Sequence, residues 1–259
     1  MAGADSNRIG ASAQELVGLQ PDIIVTDVTA SAAALQRETR TIPIVFASAG
    51  DPVASGLLPR LDRPSGNVTG FATDEASLGG KWLELLSEIA PGLKRVAIMF
   101  NPDTAPAVST YMPSLETAAR SLKIAPIIAP VHSDVEIETA IIALGREPGG
   151  GLVVMPDGGF TVAHRVPITL AAARNNVPAV YHNSDYARDG GLLSYGPDPV
   201  DEFRRGATYV DRILRGAKPS DLPVQLPIKF EMVLNRKTAR ALGLAVPPSI
   251  LLRAEEVIE

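Results

Sequence analysis

Short apolar runs that end in small polar residues, each followed by a stretch with helical spacing, constrain this chain more than any other feature. Residues 42–47 (IPIVFA) run into Ser48, Ala49, Gly50, Asp51 and Pro52, and residues 67–71 (NVTGF) form a second such run. Further runs stand at 23–25, 95–100, 124–129, 151–155, 179–182, 192–195 and 228–234. Between many of them lie segments of about 10–17 residues with one apolar face, the spacing of an amphipathic helix. Strands alternating with helices predict an α/β fold of parallel sheets with helices on both faces, because a parallel pair needs a crossover long enough to hold a helix.

The helical segments are expected at 5–19, with Ile9, Ala13, Leu16 and Val17 on one face and Ser6 as N-cap, and then at 32–38 and 78–89. The third of these carries the sole tryptophan, Trp82. A helix is expected over 105–121 despite Pro106 and Pro113, since proline is tolerated in a first turn and bends an interior. Others follow at 134–145, capped by Ser133 or Asp134, at 161–175, and at 199–215 with Phe203, Ala207, Val210 and Leu214 on the apolar face. A short one at 237–242 is closed by Gly243. The break at Pro91-Gly92 and the proline-rich stretch 216–227 divide the series into two lobes.

Hydrophobic residues make up 46% of the 259, enough for two cores, and the net charge of −5 with 20% charged residues argues against a nucleic-acid partner. With no cysteine, disulfides, thiol catalysis and cysteine metal sites are excluded. No apolar run reaches bilayer length. The opening MAGADSNRIGASAQELVGLQ has neither the basic head nor the apolar middle of an export signal.

The chemistry-bearing motifs are missing in turn. There is no GxxxxGK[ST] and no GxGxxG after a strand, and Gly149-Gly150-Gly151 precedes a strand instead of following one. His132, His164 and His182 have no ligand partner at metal spacing, so neither a metal nor a cofactor is predicted. Ser48 lies on a strand-end loop but outside any GxSxG elbow. Asp157 and Asp185 follow strands, where a carboxylate can act as an acid or base, hold an ammonium group or cap a turn. Ligands of open α/β sheets sit beyond the carboxyl ends of strands. The candidate binding residues are therefore Thr29, Ala30, Ser31, Ser48, Ala49, Asp51 and Thr69 in the first lobe, and Asn101, Thr104, Asp157, Phe160, Ser184 and Asp185 in the second. Helix starts at Ala30-Ser31 and Thr104-Ala105 suit a carboxylate. Phe160, Tyr186 and Tyr195 suit either an apolar ligand moiety or the core. These groups fit a site that holds a small polar molecule without transforming it.

The segments TIPIVFASAGDPVASGLL, RPSGNVTGF, KWLELLSEIAP, RVAIMFNPD, PAVYHNSDYARDGGLLSYGPD, GATYVDRILRGAKPSDLPVQLPIKFEMVLNRKTARALGL and VPPSILLRAEEVIE, in this order over nearly the whole chain, resemble the ABC-transporter substrate-binding proteins of the tryptophan or aromatic amino-acid type. The resemblance implies a type I periplasmic-binding fold: two Rossmann-like lobes joined by three crossing strands near 90–93, 194–197 and 222–226, with the candidate loops lining a cleft. Lobe 1 would hold 1–91 and 196–222, and lobe 2 would hold 92–195 and 223–259. It also implies a non-enzymatic solute-binding role, a membrane permease as partner and a periplasmic or cell-envelope location. The alternative is a ligand-sensing or enzymatic domain on the same fold. Family members carry a leader and a strand–helix–strand ahead of the point where Met1 stands. Lobe 1 is therefore expected to lack its first strands and to be left with an open, apolar gap between strands, an aggregation liability.

Overall fold

The computed structural model describes residues 6–73, 75–105, 108–157 and 159–259. Asp5 and Pro106, expected in a helix start and a helix first turn, and Gly158 lie outside the described residues. In chain order the elements are α1 (Ser6–Gly18), β1 (Ile24–Thr26), α2 (Thr29–Glu38), β2 (Ile44–Ala49), β3 (Val68–Ala72), α3 (Leu78–Ile89), β4 (Arg95–Phe100), α4 (Val108–Leu122), β5 (Ala125–Pro130), α5 (Asp134–Gly145) and β6 (Gly150–Val154). They continue with α6 (Phe160–Ala163), α7 (Arg165–Arg174), β7 (Ala179–Tyr181), α8 (Ser184–Arg188), β8 (Leu193–Pro197), α9 (Pro199–Leu214), β9 (Phe230–Asn235), α10 (Arg236–Ala241), α11 (Pro248–Arg253) and β10 (Glu256–Ile258). Two compact units result: Met1–Glu75 with Pro197–Lys229, and Ala76–Gly196 with Phe230–Glu259. Helix α3 stands in the second unit, whereas the breakers at Pro91-Gly92 suggested a boundary after it.

In the first unit the sheet order is β1-β2-β3, with β2 parallel to both neighbours. The alternation along β2 divides its side chains between two faces, as period 2 requires. Ile44 and Phe46 join a core with Leu35, Leu58 and Val68, while Val45 joins Phe71, Tyr209 and Leu222 on the other face. Gly70 lets β3 lie close to β2: its φ is +155°, and a Cβ there would stand 1.9 Å from the Phe46 carbonyl oxygen. The expected gap between strands is not found. β1 bonds directly to β2 and β2 to β3, because the three strands are consecutive neighbours in the sheet. Among the described residues, β1 has no strand on its other side, and Val25 on it is half exposed.

Helix α9 covers this sheet, and its buried face is not the one its apolar residues suggest. Glu202, Gly206, Tyr209 and Ile213 are buried, whereas Phe203 and Leu214 are 47% and 59% exposed. Tyr209 fixes the rotation. Its ring packs on Phe71 at 4.8 Å, and its hydroxyl donates to the Pro223 carbonyl.

The second unit has a seven-stranded sheet, β10-β9-β8-β7-β6-β4-β5, in which β4 is parallel to β5 and β6, β6 to β7, β7 to β8 and β9 to β10. Val96 and Ile98 face one core, Ala97 and Met99 the other, so helices cover both faces. Helix α3 packs against α4 through Gly79 and Gly80 and through Trp82, whose ring meets Tyr111 at 5.2 Å and whose Nε1 donates to the Tyr195 carbonyl. The helix expected over 161–175 is two helices, α6 and α7, meeting at His164. Pro167 explains the break: it has no N–H for the Ala163 carbonyl, and its ring crowds that carbonyl. The tail, left unassigned from sequence, forms α11 and β10.

Candidate functional site

The carboxyl ends of β1, β2 and β3 in the first unit, and of β4, β6 and β7 in the second, carry the predicted residues. Most of their polar groups are engaged with the chain itself. Thr29 opens α2 and donates from its hydroxyl to the Gly50 carbonyl at 2.7 Å, which ties the end of β1 to the end of β2. The Ser48 amide reinforces that tie by donating to the Asp27 carbonyl at 2.9 Å. Ala30 is exposed and Ser31 half-buried in the first turn of α2, while Ala49 is buried at the end of β2. Asp51 accepts from the amides of Val53 and Ala54. Thr69 is fully buried, and its hydroxyl donates to the Leu222 carbonyl at 2.6 Å.

In the second unit the structure draws Asn101, Asp157 and Thr161 together. Asp157 is buried and accepts from the Asn101 amide (3.1 Å), the Thr161 amide (2.9 Å) and the Thr161 hydroxyl (2.9 Å). It therefore pins the loop after β6 to the loop after β4. Asn101 accepts from the Asp103 amide through Oδ1. The Thr104 hydroxyl is buried with no hydrogen-bond partner. Phe160 begins α6 and packs on His164, 4.1 Å between centroids with the rings tilted by 30°. Ser184 is buried and accepts from Arg188, and Asp185 is exposed with Arg188 at 3.5 Å. Both stand in α8, a helix where a strand-end loop is expected from sequence; Asn183 caps it by accepting from the Asp185 amide.

The histidines and aromatics resolve similarly. His132 bridges Asp103 and Glu136 on the surface, and among the described residues no three acidic or histidine side chains gather as a metal site. Arg165 pairs with Asp189 at 2.6 Å. Tyr186 is fully buried and stacks on Tyr181, and burial pushes both phenols up. His182 lies between the Val154 carbonyl and the Tyr186 ring, and desolvation pushes its imidazole down against the pull of Asp157. Tyr195 stacks on Phe230.

One residue of the first unit was missed. Glu202 is 2% exposed, and its Oε1 has no hydrogen-bond partner. Burial pushes its carboxyl up to about 8, against the pull of the Ser48 hydroxyl and of Arg205. Its spacing to Gly206, Tyr209 and Ile213 marks it as a member of the inward stripe. That spacing was the available signal, hidden because an acid does not read as a core residue.

The sequence profile described as "ABC transporter substrate binding protein" matches residues 1–258. The chain belongs to that family. A tyrosine-binding protein of Clostridioides difficile (strain R20291) is 25% identical over 232 residues, 90% of this chain and 66% of that protein, so the chain spans just under two thirds of this curated relative. Among solved structures, an ABC domain in complex with L-Trp from Streptococcus pneumonia superposes with a TM-score of 0.86 at 24% identity, over 98% of this chain and 84% of that one. A conserved domain protein from Vibrio cholerae gives 0.85 at 28% identity over the same shares. These likenesses make the fold a type I periplasmic-binding fold, in keeping with the two parallel-sheet units.

Proposed function

We propose that the chain is the solute-binding component of an ABC importer, which closes two lobes over a small polar ligand and delivers it unchanged to a membrane permease at the cell envelope. Ligand bound between the lobes would favour the closed state by its extra contacts there. The observation that carries this reading is the family match across residues 1–258. The site chemistry supports it: the strand ends offer hydroxyls, amides and carboxylates, most of them held in place by hydrogen bonds within the chain. The ligand class we favour is an aromatic amino acid, because relatives over nearly the whole chain are a tyrosine-binding protein and an L-Trp complex.

A thermal-shift screen of L-Tyr, L-Trp, other amino acids, organic acids and sugars tests it. A ligand at a hundredfold its Kd adds about 2.7 kcal/mol of stability, a shift of several degrees. L-Tyr or L-Trp is expected to give that shift. No shift with any amino acid, together with turnover of another compound, would refute the reading.

A further inference from the structure

Three carboxyl side chains are buried among the described residues: Asp157, Asp198 and Glu202. Asp157 is saturated by Asn101 and Thr161. Asp198 caps α9 through the Val200 and Asp201 amides and holds Lys229 at 2.7 Å. Glu202 alone keeps a buried oxygen, Oε1, with no donor. A buried acceptor without a donor costs about 1–3 kcal/mol, so such an atom calls for a partner that brings one.

The helix sets where that acceptor stands. Gly206 approaches Ala47 in β2, and Glu202, one turn earlier on α9, faces Ser48 at the end of the same strand. It therefore lies at the carboxyl end of the sheet, where open α/β folds bind ligands. The charged groups about it are Arg205 and Asp201 on α9 and Asp198 at its cap. Arg205 is engaged with other groups: its guanidinium lies over Phe71, donates to Gln225 and the Leu226 carbonyl, and stands 3.9 Å from Asp201.

We infer that Glu202, with the Ser48 hydroxyl facing it, receives the ammonium group of the ligand. The inference rests on the solute-binding reading and gives it a specificity-determining residue. Because the carboxyl is held protonated by burial, a cation docking on it displaces the proton, and binding releases it to solvent.

Isothermal titration of the wild type and Glu202→Gln at pH 7, in two buffers of different ionisation enthalpy, tests this. The probes are L-Tyr and L-Trp, the amines tyramine and tryptamine, and the deaminated acids 3-(4-hydroxyphenyl)propionate and indole-3-propionate. The variant is expected to bind ammonium-bearing probes about tenfold or more weaker and the deaminated acids within about twofold. The wild type is expected to release up to about one proton with ammonium probes only, and the variant none. Ser48→Ala, a milder change, is expected to weaken the same probes while proton release persists. Equal losses for both probe classes, or unaltered L-Tyr binding without proton release, would overturn the assignment and leave the solute-binding reading standing. Glu202-dependent binding of the amines without amino-acid binding would uphold the residue and refute the amino-acid ligand. Binding of none of the six would refute both.

Discussion

Asp157 and Glu202 show how burial gives the same functional group two fates. Asp157 receives three donors, one from the loop after β4 and two from Thr161 in α6, so its acceptor sites are filled and its role is to hold those segments together. Replacing it with Ala leaves buried amides without an acceptor. Asp157→Ala should cost about 2–4 kcal/mol, read as a lower urea midpoint. Glu202 has only the Ser48 hydroxyl and leaves Oε1 without a donor, and its folded value of about 8 stands above the ordinary 4.5. Between those values the folded chain keeps the proton that the unfolded chain has released. The contribution of this group to stability is therefore largest below about pH 4.5, falls as pH rises to about 8 and is level above, a loss on the order of a few kcal/mol. Urea unfolding from pH 5 to 9 should show that decline in the wild type and a flatter profile in Glu202→Gln. At this scale the sequence located the loops at the strand ends, because a small polar residue after an apolar run is a local signal. It did not tell engaged groups from open ones: that Thr69 bonds the Leu222 carbonyl depends on a contact 153 positions away.

Elements were legible where their signals are local. Residues 78–89, 95–100 and 134–145 match α3, β4 and α5 to the residue, each with strong periodicity or a cap. Ser133 caps α5 by accepting from the Glu136 amide. The failures have physical causes. The inward face of α9 was misassigned because a buried aromatic anchor, Tyr209, outweighs two apolar side chains that solvent tolerates. The helices α8 and α11 and the strand β10 are too short to show a period. The packing of α3 on α4 yields a sharp expectation. A Cβ on Gly79 would stand 2.3 Å from the Tyr111 carbonyl oxygen, so the backbones would have to part. Gly79→Ala should destabilise the second unit by about 1–3 kcal/mol or more, measured by chemical unfolding with Trp82 as the fluorescent probe, although Ala favours a helix. A neutral or stabilising outcome would contradict this packing.

Across the whole molecule, alternation was enough to predict parallel sheets flanked by helices, and the resemblance over dispersed segments was enough to name the family that the profile match to residues 1–258 shows. The strand order of the second unit and the membership of α3 were not legible, because both depend on contacts between distant segments. The exposed edge strand β5 carries Pro126 and Pro130, which remove N–H donors and discourage edge-to-edge pairing. The central claim is that this chain holds an aromatic amino acid and does not alter it. Equilibrium dialysis of the purified protein with isotope-labelled L-Tyr and L-Trp, followed by mass spectrometry of the recovered ligand, tests it most directly. The account predicts saturation at one ligand per chain and recovery of the same compound. Recovery of a changed compound, or no retention of either amino acid, would contradict it.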